Sequence, residues 1–423
     1  MDTQRLYDIF LRSTGVSTDT RSIQPGMLFF ALTGENFDGH AYAGLALEKG
    51  ASAVVVNRQL SVHGLQVVVP DVLDALQKLA TYHRQQFSIP VLGITGSNGK
   101  TTTKELTVRV LGMKFQVHST QGNLNNHIGV PLTLLAMPLS AEFAVIEMGT
   151  NQPGEIAFLS RMVEPDYGLI TNIGKAHLEK LGSIDGVRIE KWSLFDEVRQ
   201  RQGMIFINQD DPRLAQYPYG NALRYGQSPD ADLQFRIMED DPYVNVGFED
   251  GEIHLASQLY GRYNGANIMA AASVGHHFGV KWDDIAQAIQ SYRPSNQRSQ
   301  ELEWKGHHLF LDAYNANPTS MVAAITHFSL RDQPNKVLIL GDMLELGTAT
   351  EVEHRSILDL VNRYQWERVF LIGPVFCRLQ PGPDRFESVE KMQQIDWESE
   401  LPRASNILIK GSRGIRLERL LTD

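Results

Sequence analysis

The stretch VLGITGSNGKTTTKEL, residues 91–106, decides how the rest of the chain is read. An apolar run leads into a glycine-rich turn, and helix-forming sequence begins near Lys100. Gly96 and Gly99 allow backbone N–H groups to crowd around phosphate oxygens, and a helix N-terminus adds partial positive charge. In such a loop Lys100 reaches the β/γ-phosphates and the Thr101 hydroxyl faces Mg²⁺, with Ser97, Asn98 and Thr102 completing the cradle. The usual spacing has glycine where Ile94 stands; here the glycines fall at 93, 96 and 99. A phosphate loop alone leaves switch, motor, kinase and ligase open.

Outward from this loop, apolar runs at 91–94, 143–146 and 168–173 alternate with helix-like segments, the pattern of a parallel sheet with crossover helices. Upstream, strand-like runs at 27–32, 53–56 and 65–69 alternate with helical sequence at 42–49 and 72–87. The helix at 72–87 stops before Pro90, a plausible domain junction. Downstream, 205–255 carries short alternating runs, which predict a small antiparallel excursion, followed by helices at 264–277 and 283–291. The polar stretch 293–300, RPSNQRSQ, reads as a linker. Beyond it, β-rich runs at 308–312, 337–340, 369–372 and 407–409 predict a further α/β domain.

Composition narrows the class. At 423 residues, with 42% apolar and 21% charged, the chain is globular and long enough for several domains. A net charge of −10 argues against a nucleic-acid or anionic-membrane surface, so an anionic substrate must be held by local devices. Cys377 is the only cysteine, which fits a reducing compartment. No run approaches the roughly 18 apolar residues of a spanning helix, and no signal peptide is evident. A cytoplasmic protein is expected.

The loop GITGSNGKTTT also resembles that of the Mur ligases, which build the peptide stem of bacterial peptidoglycan. The likeness extends through TQGNLNNHIGVPLTLL (120–135), AVIEMGTNQPGEI (144–156), TNIGKAHLEKLGS (171–183), YNGANIMAA (263–271), DAYNANPTSM (312–321), LGDMLELG (340–347) and KGSRGIRLE (410–418). Residues 17–56 resemble the family's nucleotide-sugar domain. The GNLNN, DAYNANP, LGDMLELG and KGSR forms point to the family step that joins D-alanyl-D-alanine to a UDP-N-acetylmuramoyl-tripeptide. That chemistry moves the γ-phosphoryl of ATP onto a carboxylate, and an amine then displaces phosphate. Positioning and charge neutralisation dominate such a reaction.

The resemblance assigns roles residue by residue. Glu147, at the end of an apolar strand, would be a ligand of the nucleotide's Mg²⁺. His177 would bind a second Mg²⁺, and Lys191, in the helical RIEKWSLFDEV, stands where the family carries a carbamylated lysine. A Glu commonly follows that lysine by two residues; this chain has Ser193. Asn264 and Asn267 would face the adenine, although Tyr263 replaces a common His. Arg298, Asp312, Tyr314 and Asn315 would contact ATP. Asn125, Asn126, Asn317, Lys410 and Arg413 would contact the peptide substrates. In the first domain Thr20, Arg21, Asn36, Asp38 and His40 are candidates for the uridine diphosphate, though Asp38 and Gly39 could equally form only a turn.

Three α/β domains are therefore expected: a UDP-sugar domain at 1–85, a central phosphate-loop ATPase at 86–298 and a Rossmann-like domain at 299–423. The chain is expected to act as a monomer with ATP and two Mg²⁺ ions, without nucleic-acid partners or integral membrane association. The rivals are a sister ligase with a different amino acid or a folate substrate, and a nucleotide switch that has kept the fold.

Overall fold

In the computed structural model the strand Val91–Thr95 is buried at every position, as an interior parallel strand covered on both faces must be. The structure describes residues 2–239, 243–248, 252–294 and 297–421. The expected α/β architecture holds, with three mostly parallel sheets of four, nine and six strands.

The nine-stranded sheet positions the site. Val91–Thr95 pairs with Phe143–Glu147 on one side and Tyr167–Ile170 on the other, both parallel. The chain thus winds outward one way and then crosses to the other, and ligands of open α/β sheets bind at the carboxyl ends beside such a crossing. Tyr167–Ile170 is shorter than the expected 168–173, because residues 171–175 leave the sheet to wrap the phosphate loop.

One expectation is corrected. The antiparallel excursion expected within 205–255 forms, but only in its second half. Met204–Asn208 and Ala222–Gly226 continue the parallel sheet; Leu233–Glu239 pairs parallel with Ala222–Gly226 on one side and antiparallel with Asn245–Phe248 on the other, and Ile253–Leu255 adds a further antiparallel strand. Ile205, Phe206 and Ile207 are all buried, so both faces of that strand are covered and strict alternation is not required. In the linker stretch, residues 295–296 lie outside the described residues, and Gln300 already opens a strand.

The helix Val72–Arg84 is capped by Asp71, which accepts from the Asp74 N–H at 2.9 Å. Its Val72, Leu76 and Leu79 share one core with Val130 and Leu134 of the helix Gly129–Leu135. Arg84 is buried and donates from Nε to the Val163 carbonyl (2.9 Å) and from Nη2 to that of Glu164 (3.1 Å). A planar guanidinium with fixed donors suits such bridging. The first unit is therefore seated on the central one by an apolar and a polar contact together.

In the six-stranded sheet, alternate residues face opposite cores. Phe310, Leu338, Leu340 and Leu408 line one, Leu309, Ile339, Ile407 and Ile409 the other, as the two-residue period of a strand requires. Asp342, just beyond Lys336–Gly341, is buried and accepts from the N–H groups of Val375 (2.8 Å) and Phe376 (2.9 Å). Gly373, at φ 127°, allows that approach, since a Cβ there would lie 2.3 Å from the Asp342 carboxyl carbon. Asp342→Ala strands two buried donors and should cost on the order of 3 kcal/mol. A lowered unfolding midpoint with unchanged UDP-sugar binding is the expected result.

Candidate active site

The phosphate loop depends on two glycines. A Cβ at Gly96 (φ 149°) would lie 1.9 Å from Thr171 Oγ1, and Gly99 (φ 77°) opens the helix Lys100–Gly112 from a left-handed conformation. The loop tip is held from residues 171–172. Thr171 Oγ1 and Asn172 Nδ2 donate to the Asn98 carbonyl (2.6 and 2.9 Å), and the Asn98 N–H donates to Asn172 Oδ1 (3.1 Å). Ser97 Oγ exchanges hydrogen bonds with Gly174. Thr101 and Thr102 are buried in the first helical turn.

Lys100 folds back so that Nζ donates to the Gly96 carbonyl at 2.7 Å. Burial pushes its pKa down and Arg298 adds to that, while the charge of Glu147 opposes it. Glu147 ends its strand only 1% exposed. Its Oε1 accepts from Asn125 Nδ2 at 2.7 Å, whereas Oε2 is buried without a protein partner. A buried orphan carboxylate oxygen costs free energy unless a ligand completes it. Asn125 thus orients Glu147. Its neighbour Asn126 accepts from the N–H groups of Ile128 (3.1 Å) and Gly129 (2.8 Å), which ties its amide to the start of a helix.

Lys191 lies behind the loop on the helix Ile184–Gln200, 0% exposed, and Nζ donates to Thr95 Oγ1 at 3.2 Å. Its pKa is driven well below the usual lysine value, first by burial and then by the charge of Lys100. The amine is thereby disposed to be neutral. The preceding Glu190 accepts from the N–H groups of Gly154 (2.6 Å) and Ile156 (2.8 Å), which fixes the helix in depth. Ser193 donates to the Ile189 carbonyl within its own helix (3.2 Å).

His177 has a left-handed backbone (φ 51°), as does Glu345 (φ 63°) of the third domain, and His177 Nδ1 lies 2.6 Å from Glu345 Oε2. Hydrogen bonding by His177 holds the Glu345 carboxyl below its ordinary pKa. Strained residues of this kind gather at functional sites.

Asn264 and Asn267 stand at the start of the helix Gly265–His277 with their amides already engaged. Asn267 Nδ2 donates to Asn264 Oδ1 (2.7 Å), Asn264 Nδ2 to the Tyr260 carbonyl (2.7 Å), and Thr103 Oγ1 to Asn267 Oδ1 (3.0 Å). They brace the phosphate-loop helix and line the cleft beside it. Tyr263 shares a hydrogen bond with Ser299 (3.0 Å), and burial pushes its hydroxyl pKa up.

On the third-domain wall the Arg298 guanidinium stacks 3.6 Å from the Tyr314 ring centroid. Arg413 lies 5.6 Å from the same ring and donates to Gln297 Oε1 (3.0 Å). Asn315 accepts from the Ala316 N–H. Lys410, expected among the substrate contacts, is buried at the cleft wall and paired with Asp312 Oδ2 at 2.5 Å. Asn317 pairs with Asn98 across the cleft. These groups line one cleft of ≈ 1060 Å³ between the central and third domains.

The first-domain candidates do not line that cleft. Arg21 is 89% exposed on its side chain and paired with Asp19, Asn36 is exposed, and the Thr20 carbonyl accepts from Lys49 (2.9 Å). Asp38 is held at a pKa of about 2 by the His40 N–H, the His40 ring and Arg58. His40 is buried with both ring nitrogens engaged, Nδ1 by Asp38 (2.6 Å) and Nε2 by the Asn57 N–H (3.1 Å). It serves the loop and leaves no free nitrogen for a ligand.

Family profiles match nearly all of this frame: "Mur ligase family, catalytic domain" over residues 12–86, "Mur ligase middle domain" over 94–275, and "Mur ligase, glutamate ligase domain" over 297–411. The chain belongs to the Mur ligase family. A Mur ligase of Bacillus subtilis, UDP-N-acetylmuramoyl-tripeptide–D-alanyl-D-alanine ligase, is 36% identical over 97% of this chain and 92% of its own length. The Escherichia coli enzyme of the same name is 32% identical over 96% and 92%. Among solved Mur ligases, MurF from Acinetobacter baumannii superposes with a TM-score of 0.88 at 28% identity, covering all of this chain and 98% of that one. MurF from Thermotoga maritima in complex with ADP gives 0.84 at 27%, covering 98% and 97%.

Within this Mur ligase frame, several site residues escaped the sequence. Thr95 meets Lys191, Asn172 clamps Asn98 and Glu345 meets His177. Glu345 stands inside a block that was recognised, yet nothing local marks it as facing the central domain.

Proposed function

We infer that this chain is an ATP-dependent ligase that joins D-alanyl-D-alanine to UDP-N-acetylmuramoyl-tripeptide, a step in peptidoglycan precursor synthesis. The observation that carries the assignment is similarity along nearly the full length to ligases of that name, and the cleft supplies the groups that such chemistry needs.

We place the functional units at 1–85, 86–298 and 299–423. The phosphate loop, from Gly96 to Thr102, takes the ATP phosphates, and Lys100 leaves the Gly96 carbonyl to meet charge developing on the transferred phosphoryl. Arg298, Asp312, Tyr314 and Asn315 frame the nucleotide from the opposite wall. Asn264 and Asn267 keep the loop helix in register. The tripeptide carboxylate accepts the γ-phosphoryl to become an acyl phosphate. The dipeptide amine then attacks its carbonyl, and phosphate departs. Asn125, Arg413 and Asn317 face the space where these peptides must lie. Thr20, Arg21, Asn36 and Asp38 form the uridine diphosphate site, with His40 holding Asp38 in place.

Among the described residues no group of three or more His, Cys, Asp or Glu side chains could hold a metal, and a Mg²⁺ ion bound with the nucleotide would take phosphate oxygens and water beside one or two protein ligands. The orphan Oε2 of Glu147 and the Thr101 hydroxyl fit one such ion, and His177 with a carbamate on Lys191 would supply a second. Bound Mg²⁺ would neutralise charge on the phosphates. Glu147 is kept ready by Asn125, and Lys191 by its dry surroundings. No helix of the described residues is long and apolar enough to cross a membrane. We place the enzyme in the cytoplasm as a monomer, since one chain builds the whole cleft.

The test is a coupled ADP-release panel over UDP-muramoyl peptides and acceptor amines. Release should require the tripeptide and D-alanyl-D-alanine together. Equal turnover with a UDP-muramoyl dipeptide and a single amino acid would move the chain to another step.

A further inference from the structure

The phosphate loop and the third domain meet through a reciprocal amide pair. Asn317 Nδ2 donates to Asn98 Oδ1 at 2.8 Å, and Asn98 Nδ2 donates back to Asn317 Oδ1 at 3.4 Å. Two opposed hydrogen bonds between planar groups fix orientation as well as distance, which a single bond leaves free.

Both asparagines are anchored before they meet. The Asn98 backbone is clamped on both its N–H and its carbonyl by Thr171 and Asn172. Asn317 caps the helix Pro318–Leu330 in a capping box with Ser320, its Oδ1 accepting from the Ser320 N–H at 2.9 Å. Residues 171–175 are packed between the two, with the Lys175 N–H donating to Thr319 Oγ1 (3.1 Å) and Gly174 bonded to Ser97 Oγ (2.9 Å). The pair therefore transmits position from the loop that holds phosphate to the wall that must present the amine.

The cap alone does not call for an amide. Serine caps a helix about as well as asparagine, so the cap uses Oδ1 and leaves the Nδ2–H of Asn317 as the surplus feature. That surplus is directed at Asn98.

We propose that Asn317 is a positioning residue that latches the third domain to the phosphate loop through Asn98, so that the amine, and not water, meets the acyl phosphate. The proposal rests on the ligase reading above. If the wall is unlatched, water reaches the activated carboxyl, which returns carboxylate and phosphate while ATP is still consumed. The signature is uncoupling, because closure is what excludes water.

The discriminating variant is Asn317→Ser, which keeps the cap and loses the reach to Asn98. Its unfolding midpoint should match the parent. Its kcat for peptide formation should fall by roughly ten- to a hundredfold, as small misplacements of reacting groups do. ADP formed per peptide formed should rise above unity, most at low dipeptide. Asn98→Ser keeps the backbone clamps, provides a second route to the same readout, and combined with Asn317→Ser should add little further loss. A ratio that stays at unity in both variants overturns the latch, whether or not kcat or the midpoint falls. A parent enzyme that releases no ADP in response to D-alanyl-D-alanine would instead overturn the ligase reading.

Discussion

Lys100→Ala should lower turnover on the order of a hundredfold or more while leaving UDP-sugar binding nearly unchanged. The first half follows from its place on the loop: Nζ rests on the Gly96 carbonyl, within the loop proposed to take the nucleotide phosphates. The second follows from distance, since the first-domain candidates lie outside the cleft that Lys100 lines. A further effect comes from Lys191, whose pKa is held down partly by the charge of Lys100. Removing that charge lets Lys191 keep its proton more readily, so Lys100→Ala and Lys191→Ala should be less than additive. Steady-state ADP release measures the loss, and titration with the UDP-tripeptide measures the binding. Near-normal turnover would remove Lys100 from its assigned role.

The parts legible in the sequence were those set by local spacing. The glycines at 96 and 99 and the apolar runs around them specify strand, turn and helix within sixteen residues, and the structure places each where expected. Four of the six strands of the third sheet were equally plain, because their alternation serves two opposed cores, whereas Gln300–Trp304 and Arg385–Phe386 were not read as strands. Failures came where a residue's partner is remote. Within 205–255 the alternating runs at 233–255 do turn antiparallel, but the strands before them, Met204–Asn208 and Ala222–Gly226, are revealed as parallel only by their neighbours. Asn125 and Asn126 are adjacent and alike in sequence, yet one orients Glu147 and the other accepts from the N–H groups of Ile128 and Gly129. Lys410 and Asp312 look independent in sequence until their strands pair in parallel register and bring the charges together. Ion pairing, capping and clamping across long separations leave no local pattern, and they decide which polar groups remain free for substrate.

Lys191→Ala should be nearly inactive and partly rescued by formate or acetate. An ammonium at this position would be buried beside Lys100, a doubly unfavourable place for a cation. The neutral amine that results is the form able to add CO₂, giving a carbamate anion and releasing one proton. That exchange turns a position that repels Mg²⁺ into one that can ligate it. Glu190 does not substitute, because its oxygens are already occupied by the N–H groups of Gly154 and Ile156. Nor does Ser193, which is bonded to its own helix. A small carboxylate diffusing into the space left by alanine could restore the missing charge. Lys191→Arg should be neither active nor rescuable, since guanidinium keeps its cation and fills the space. Labelling with ¹³C-bicarbonate supplies a readout independent of turnover: the parent should show a carbamate carbonyl signal that Lys191→Ala lacks. A fully active Lys191→Ala, or a parent without that signal, would leave Lys191 as a buried amine bonded to Thr95 and nothing more.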